Sequence, residues 1–127
     1  MMTGKTCVIT GGTSGIGEAT ALALAERGAD LGIICRSLER GETTRAMIKE
    51  KTGRDCVRLF VADMERLDDM RRVAAELIAA LDKIDVLVNN AGVTMLKRSE
   101  TADGNETTFG VNHLAPFLLT HDLLPKL

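Results

Sequence analysis

A run near the start of the chain is built from residue types that can hold phosphate. Thr10-Gly11-Gly12-Thr13-Ser14-Gly15-Ile16-Gly17 follows a short β-branched stretch and leads into a helical pattern. Gly11, Gly15 and Gly17 have separable uses. One lets the chain turn off a strand, one lets backbone approach a pyrophosphate without a Cβ, and one lets the helix pack close to the sheet. The helix start then aims free N–H groups and a partial positive charge at the same place. A plain tight strand-to-helix turn is the other reading of such glycines. The strand before, the helix after and the position at the head of a βαβ unit are the context that phosphate binding requires. The expectation is a bound dinucleotide. A carboxylate that reads a ribose 2′-OH is expected roughly 20 residues further on, at the end of the second strand. That place reads Ile34-Cys35-Arg36-Ser37, a guanidinium where the acid should be. A planar cation pairs with a 2′-phosphate, which a carboxylate would repel. NADP(H) is therefore favoured over NAD(H). The alternative for Arg36 is a solvated residue at a helix start.

The elements that must position these groups alternate in type. Cys7–Thr10, Leu31–Cys35, Val57–Val61 and Ile84–Val88 are short apolar strands. The last is apolar nearly throughout, which suits a strand buried on both faces of a parallel sheet. Between them the spacing predicts helices: residues 15–27, stopped by Gly28; a segment capped by Ser37 and ended by Gly53; and a stripe of Leu67, Met70, Ala74, Leu77, Ile78 and Leu81. A loop runs to about Ser99, and a long helix is expected from about Asp103 to Leu127. This order predicts an α/β, Rossmann-type doubly wound parallel sheet, halted after about four strands in the order 3-2-1-4.

Composition excludes several classes. The chain has 127 residues, 16 Lys+Arg against 18 Asp+Glu, and a net charge of −2, so it carries no basic field for nucleic acid or anionic lipid. No apolar run reaches the length of a membrane span, and the first residues lack the features of a signal peptide. Cys7, Cys35 and Cys56 are odd in number, with no Cys-x-x-Cys, and His113 and His121 lie far from them. Buried reduced thiols, a cytoplasmic location and no metal site are the expectations. No Asp precedes Asp30, so the first strand has no acid to accept a phosphoryl group, as a signalling receiver would need.

The form Thr-Gly-x-x-x-Gly-Ile-Gly resembles the short-chain dehydrogenase/reductase family. Asn89-Asn90-Ala91-Gly92 after the fourth strand, Asp63 after the third, and Asn112 in Gly110-Val111-Asn112-His113 strengthen the likeness. The runs Cys35-Arg36 to Gly41-Glu42, Thr101-Ala102-Asp103-Gly104 and Phe109 to Leu114 look like its retinol-dehydrogenase-type branch. The likeness spans the chain but only the family's first half. It implies a nicotinamide oxidoreductase acting on a small carbonyl or alcohol. Gly11, Thr13, Ser14, Gly15, Ile16 and Gly17 would hold the pyrophosphate and nearby ribose. Arg36 and Ser37 would hold the 2′-phosphate, with Asp63 and Met64 at the adenine. Asn90, Ala91 and Gly92 would lie along the cofactor, while Asn89 ties strand ends together. Pro116 removes the N–H that would serve the Asn112 carbonyl. In the family that carbonyl feeds a water in the proton relay to the catalytic lysine, which makes Asn112 the one catalytic candidate.

The family's Tyr-x-x-x-Lys helix has no counterpart here, because the chain contains no tyrosine. Residues 1–127 therefore read as the NADP(H)-binding half-domain, with the catalytic half absent and the isolated chain inactive. A non-catalytic, dinucleotide-binding regulatory module is the alternative. The fourth strand would leave an unpaired edge, and the last helix carries more apolar surface than half a sheet buries. Self-association, or docking onto a missing C-terminal half, is the expectation.

Overall fold

The computed structural model describes residues 1–127. Four strands, β1 (Thr6–Thr10), β2 (Asp30–Cys35), β3 (Val57–Val61) and β4 (Val86–Val88), pair in parallel in the order β3-β2-β1-β4. β1 sits centrally, with Val8 opposite Gly32 of β2 and Leu87 of β4. The sheet order is the expected one. β4 is shorter than the apolar run suggests. The Ile84 N–H donates to the Lys126 carbonyl at 2.7 Å, so that residue belongs to the chain's closing turn and not to the ladder.

Alternation along the strands builds a core on each face. Cys7, Ile9, Leu31, Ile33 and Cys35 face one side and pack against Ala21 and Ala25 of α1 (Gly15–Glu26) and Ile48 of α2 (Leu38–Thr52). Val8, Ile34 and Phe60 face the other, against Met70, Val73, Ala74 and Leu77 of α3 (Leu67–Ala80) and Ala115, Leu119 and Leu123 of α5 (Ala115–Leu123). Small residues on α1 let that helix lie close to the sheet. All three cysteines are buried and free, and burial pushes their thiols up from the ordinary value.

The long final helix is where expectation and structure part. Helical backbone begins at α4 (Thr107–Phe109), not near Asp103, and passes through a π turn (Gly110–Leu114) before α5 and a closing 3-10 turn (Leu124–Lys126). Two acids explain the late start. Glu106 accepts the N–H groups of Thr108 and Phe109 and caps α4. Asp103 turns back instead to accept the Leu67 N–H at 2.9 Å, capping α3, whose own N-cap residue Arg66 makes no capping bond. The π register ends just before Pro116, which falls in the first turn of α5, where a missing N–H costs least.

Candidate dinucleotide site

The glycine run leaves β1 at Thr10 and enters α1 at Gly15. Gly11 has φ +66°, and a Cβ there would press on Ala91 at 3.1 Å. Gly15 has φ +52°, but a Cβ there would meet nothing within 4 Å. Gly11 is thus needed for both turn and closeness, whereas Gly15 is needed for its backbone angle and faces open space. Gly17 serves the packing use. A Cβ on it would overlap the Gly11 carbonyl oxygen and the Asn90 amide nitrogen.

Ser14 occupies the N-cap of α1 in extended backbone, yet its side chain makes no capping bond. The first N–H groups of this 12-residue helix therefore have no intrahelical or capping partner. The contrast with α2 is direct. There Ser37 Oγ accepts the Arg40 N–H at 3.3 Å as a cap, and its own O–H proton remains free to donate. An anion at α1 would satisfy donors that the chain leaves open.

The loop is fixed to the end of β4 by neutral hydrogen bonds. Thr10 Oγ1 accepts the Asn90 N–H at 3.0 Å and the Ala91 N–H at 2.9 Å. Asn90 Nδ2 donates to the carbonyls of Thr10 and Gly11, each at 3.1 Å. The tie between strand ends, expected of Asn89, is made by Asn90. The Asn89 side chain instead donates to Thr120 Oγ1 of α5 at 3.1 Å. Thr10 is a site residue that sequence reasoning passed over. Its signal was a hydroxyl at the last strand position, facing a second strand's exit.

Asn112 lies in the π turn, and its side chain clamps the loop after β4. Oδ1 accepts the Val93 N–H at 2.8 Å and Nδ2 donates to the Val93 carbonyl at 2.7 Å. Its own carbonyl has no N–H four residues on, because that residue is Pro116. Asp63 stands in a rigid turn. Its N–H donates to Asp69 at 2.9 Å, and its Oδ1 accepts the Glu65 N–H at 2.9 Å.

A cleft of about 340 Å³ brings many expected site residues together. Gly11, Thr13, Arg36, Asp63, Met64, Ala91 and Gly92 line it. Ser14, Gly15 and Ile16 stand at the exposed start of α1, with Ile16 79% exposed. Ser37, Gly17, Asn90 and Asn112 are not on the cleft wall: they cap, pack or clamp the elements that form it. Glu65 also lines the cleft, unanticipated, 3.9 Å from Arg36. The residues fit a dinucleotide in three ways: open helix donors, a glycine without steric cover above it, and a cation at the end of β2. Elsewhere, clefts of about 440 Å³ lie at the amino ends of the strands and along α5.

A parallel sheet with its glycine loop, its latch and a cleft at the carboxyl ends of the strands defines a dinucleotide-fold protein. The chain belongs to the short chain dehydrogenase family, whose family model matches residues 5–127. It is 45% identical over 124 residues to human retinol dehydrogenase 11, covering 98% of this chain and 39% of that protein. Human retinol dehydrogenase 13 is 43% identical, with 98% and 38% covered. Among solved structures, a metagenomic short-chain oxidoreductase in complex with NADP matches with TM-score 0.85 and 29% identity, over 98% of this chain and 57% of that one. Levodione reductase matches with TM-score 0.85 and 30% identity, over 99% and 50%. The chain spans about two fifths of the length of these curated relatives.

Proposed function

We propose that this chain is the NADP(H)-binding part of a short-chain oxidoreductase that moves hydride between nicotinamide and a small carbonyl or alcohol. The observation that carries the reading is the open start of α1. Its first N–H groups are uncapped, Gly15 offers no side chain against them, and Arg36 lines the cleft that Gly11 and Thr13 of the same loop border. The cofactor supplies the hydride chemistry. The chain's own residues bind and orient it: α1 donates to the pyrophosphate, Arg36 pairs with the 2′-phosphate, and Asp63 and Met64 border the adenine. Thr10 and Asn90 hold the loop, while the Asn112 clamp sets the segment after β4. The Asn112 carbonyl, with proline four residues on, accepts from a water in the proton relay. With no tyrosine in its 127 residues, this chain does not complete turnover alone.

The test is calorimetric titration with NADPH and NADH. Arg36→Asp replaces attraction with repulsion at the 2′-phosphate and lowers NADPH affinity by about 2 kcal/mol, roughly 30-fold, with NADH little changed. An unaltered ratio of the two affinities would remove Arg36 from the site.

The same reading includes self-association. β4 is a sheet edge, and Phe109, Phe117 and Leu124 are 52%, 65% and 58% exposed along one continuous helical run. Phe109 and Phe117 flank His113, with ring centroids 5.2 and 6.1 Å away. Light scattering is expected to give a mass above that of a single chain, and Phe117→Glu to lower it. A parent mass of one chain at high concentration overturns this part. Three free thiols support a reducing compartment, the cytoplasm. No helix is long and apolar enough to cross a membrane.

A further inference from the structure

Arg36 stands where a ribose-reading acid is expected, but a carboxylate is nevertheless present. It arrives from the next strand. Arg36 follows β2 and Glu65 follows β3, and their side chains face each other across the cleft wall with Nη1 and Oε2 3.9 Å apart. Each is the other's ionic partner, and neither side chain makes a further hydrogen bond. The placement of Glu65 is built and not incidental. Its N–H is held by Asp63 Oδ1 at 2.9 Å, the Arg66 N–H by the Asp63 carbonyl at 3.0 Å, and the Asp63 N–H by Asp69 at 2.9 Å. A turn fixed at three points delivers the acid to the mouth of the cleft.

We propose that Glu65 is a second determinant of cofactor choice and that it opposes Arg36. The inference rests on the dinucleotide reading above. A 2′-phosphate entering this corner must draw the guanidinium away from Glu65 and then sits beside a charge of its own sign. A free 2′-OH meets the reverse situation. A carboxylate has lone pairs enough to accept from the hydroxyl while it remains beside Arg36. Glu65 thus supplies, from β3, the acceptor that the end of β2 lacks. The site takes NAD(H) as well as NADP(H), and its preference for the phosphate is narrower than Arg36 alone would set.

The experiment is calorimetric titration of the 127-residue chain with NADPH and with NADH, for the parent, Glu65→Gln and Arg36→Gln. Glu65→Gln keeps the shape and removes the charge. NADPH affinity is expected to rise about three- to fivefold, the range of an exposed ion pair. NADH affinity is expected to fall about twofold, as a charged acceptor becomes neutral. The NADPH gain should shrink when salt is raised, because the effect is electrostatic. Glu65→Ala should move NADPH in the same direction, and equal melting temperatures exclude misfolding. An unchanged NADPH-to-NADH ratio in both Glu65 variants, alongside a lowered ratio in Arg36→Gln, overturns the role of Glu65 and leaves the cofactor reading standing. Failure of either nucleotide to bind any of the proteins overturns that reading, and this inference with it.

Discussion

At the carboxyl ends of the strands, Thr10, Gly11, Asn90 and Ala91 are joined by four hydrogen bonds with no charge among them. At the amino ends, β1 and the approach to β4 are joined through a carboxylate. Asp85 accepts the Thr6 N–H at 2.9 Å and lies 3.3 Å from Lys5 Nζ and 2.9 Å from Lys83 Nζ. Both devices hold the same pair of neighbouring strands. They differ because their surroundings differ. A charged latch beside the glycine loop would set its own field against that of α1 and Arg36 where an anion must sit. A neutral latch fixes the loop without adding a charge of its own to a cleft that already holds the Asp63 and Glu65 carboxylates as well as Arg36. At the other end a solvated ion cluster joins the strands.

The neutral end is sterically exact, so the largest effect is expected there. Gly17→Ala places a Cβ into the Gly11 carbonyl and the Asn90 amide, neither of which can retreat without breaking the latch. We expect a loss of about 3 kcal/mol in stability, as for overpacking against backbone, together with loss of NADPH binding. Chemical denaturation followed by far-UV circular dichroism measures the first, since the chain has no Trp or Tyr to report by fluorescence. Parent-like stability would mean that the loop and helix do not approach as described.

Thr10→Val comes next. The replacement keeps the volume of a residue only 1% exposed, but removes the acceptor of two N–H groups. The Asn90 N–H keeps the Val88 carbonyl at 3.0 Å, but the Ala91 N–H loses its acceptor, and one donor left unpaired costs about 2 kcal/mol. Thr10→Ser keeps the acceptor and should cost about 1 kcal/mol, for the lost methyl. If valine proves no worse than serine, packing and not hydrogen bonding holds this end of the sheet.

The two ends were not equally readable from the sequence, and neither was the last helix. The strand and helix alternation is written locally, in period-two and period-3.6 patterns, so sheet order and the first three long helices follow from it. The glycine loop is legible for the same reason: its context is contiguous. What escaped depends on groups that meet only after folding. Asn89 and Asn90 are identical in type, and only the path of the chain past Thr10 decides which one ties the strands. Asp103 looks like the start of a helix, yet it caps α3, whose first residues are remote in sequence. Glu65 looks like a surface acid until β2 and β3 pair and bring it beside Arg36. The π turn lies between the start capped by Glu106 and Pro116, and no hydrophobic period marks it.

The charged end gives the smallest effect at neutral pH, because Lys5 and Lys83 are 50% and 60% exposed and water screens both pairs. Its signature lies in acid. The Thr6 N–H, with the Lys83 and Lys5 ammonium groups, lowers the Asp85 carboxyl from 3.8 to about 2. A group whose folded value lies below its unfolded value stabilises the fold above the unfolded value. That contribution is lost as pH falls through the folded one. The Asp85 contribution is therefore intact above pH 3.8 and disappears as pH falls towards about 2. Asp85→Asn keeps an oxygen for the Thr6 N–H but has no proton to take up in this window. Its denaturation midpoint should start slightly below that of the parent at pH 7 and fall less steeply between about pH 4 and pH 2. Thr10→Val should show the opposite pattern, a constant deficit across the same range, since nothing in that latch titrates. Parallel acid profiles for Asp85→Asn and the parent would show that the carboxylate does not join these strands, and the contrast between the two ends of the sheet would collapse into packing alone.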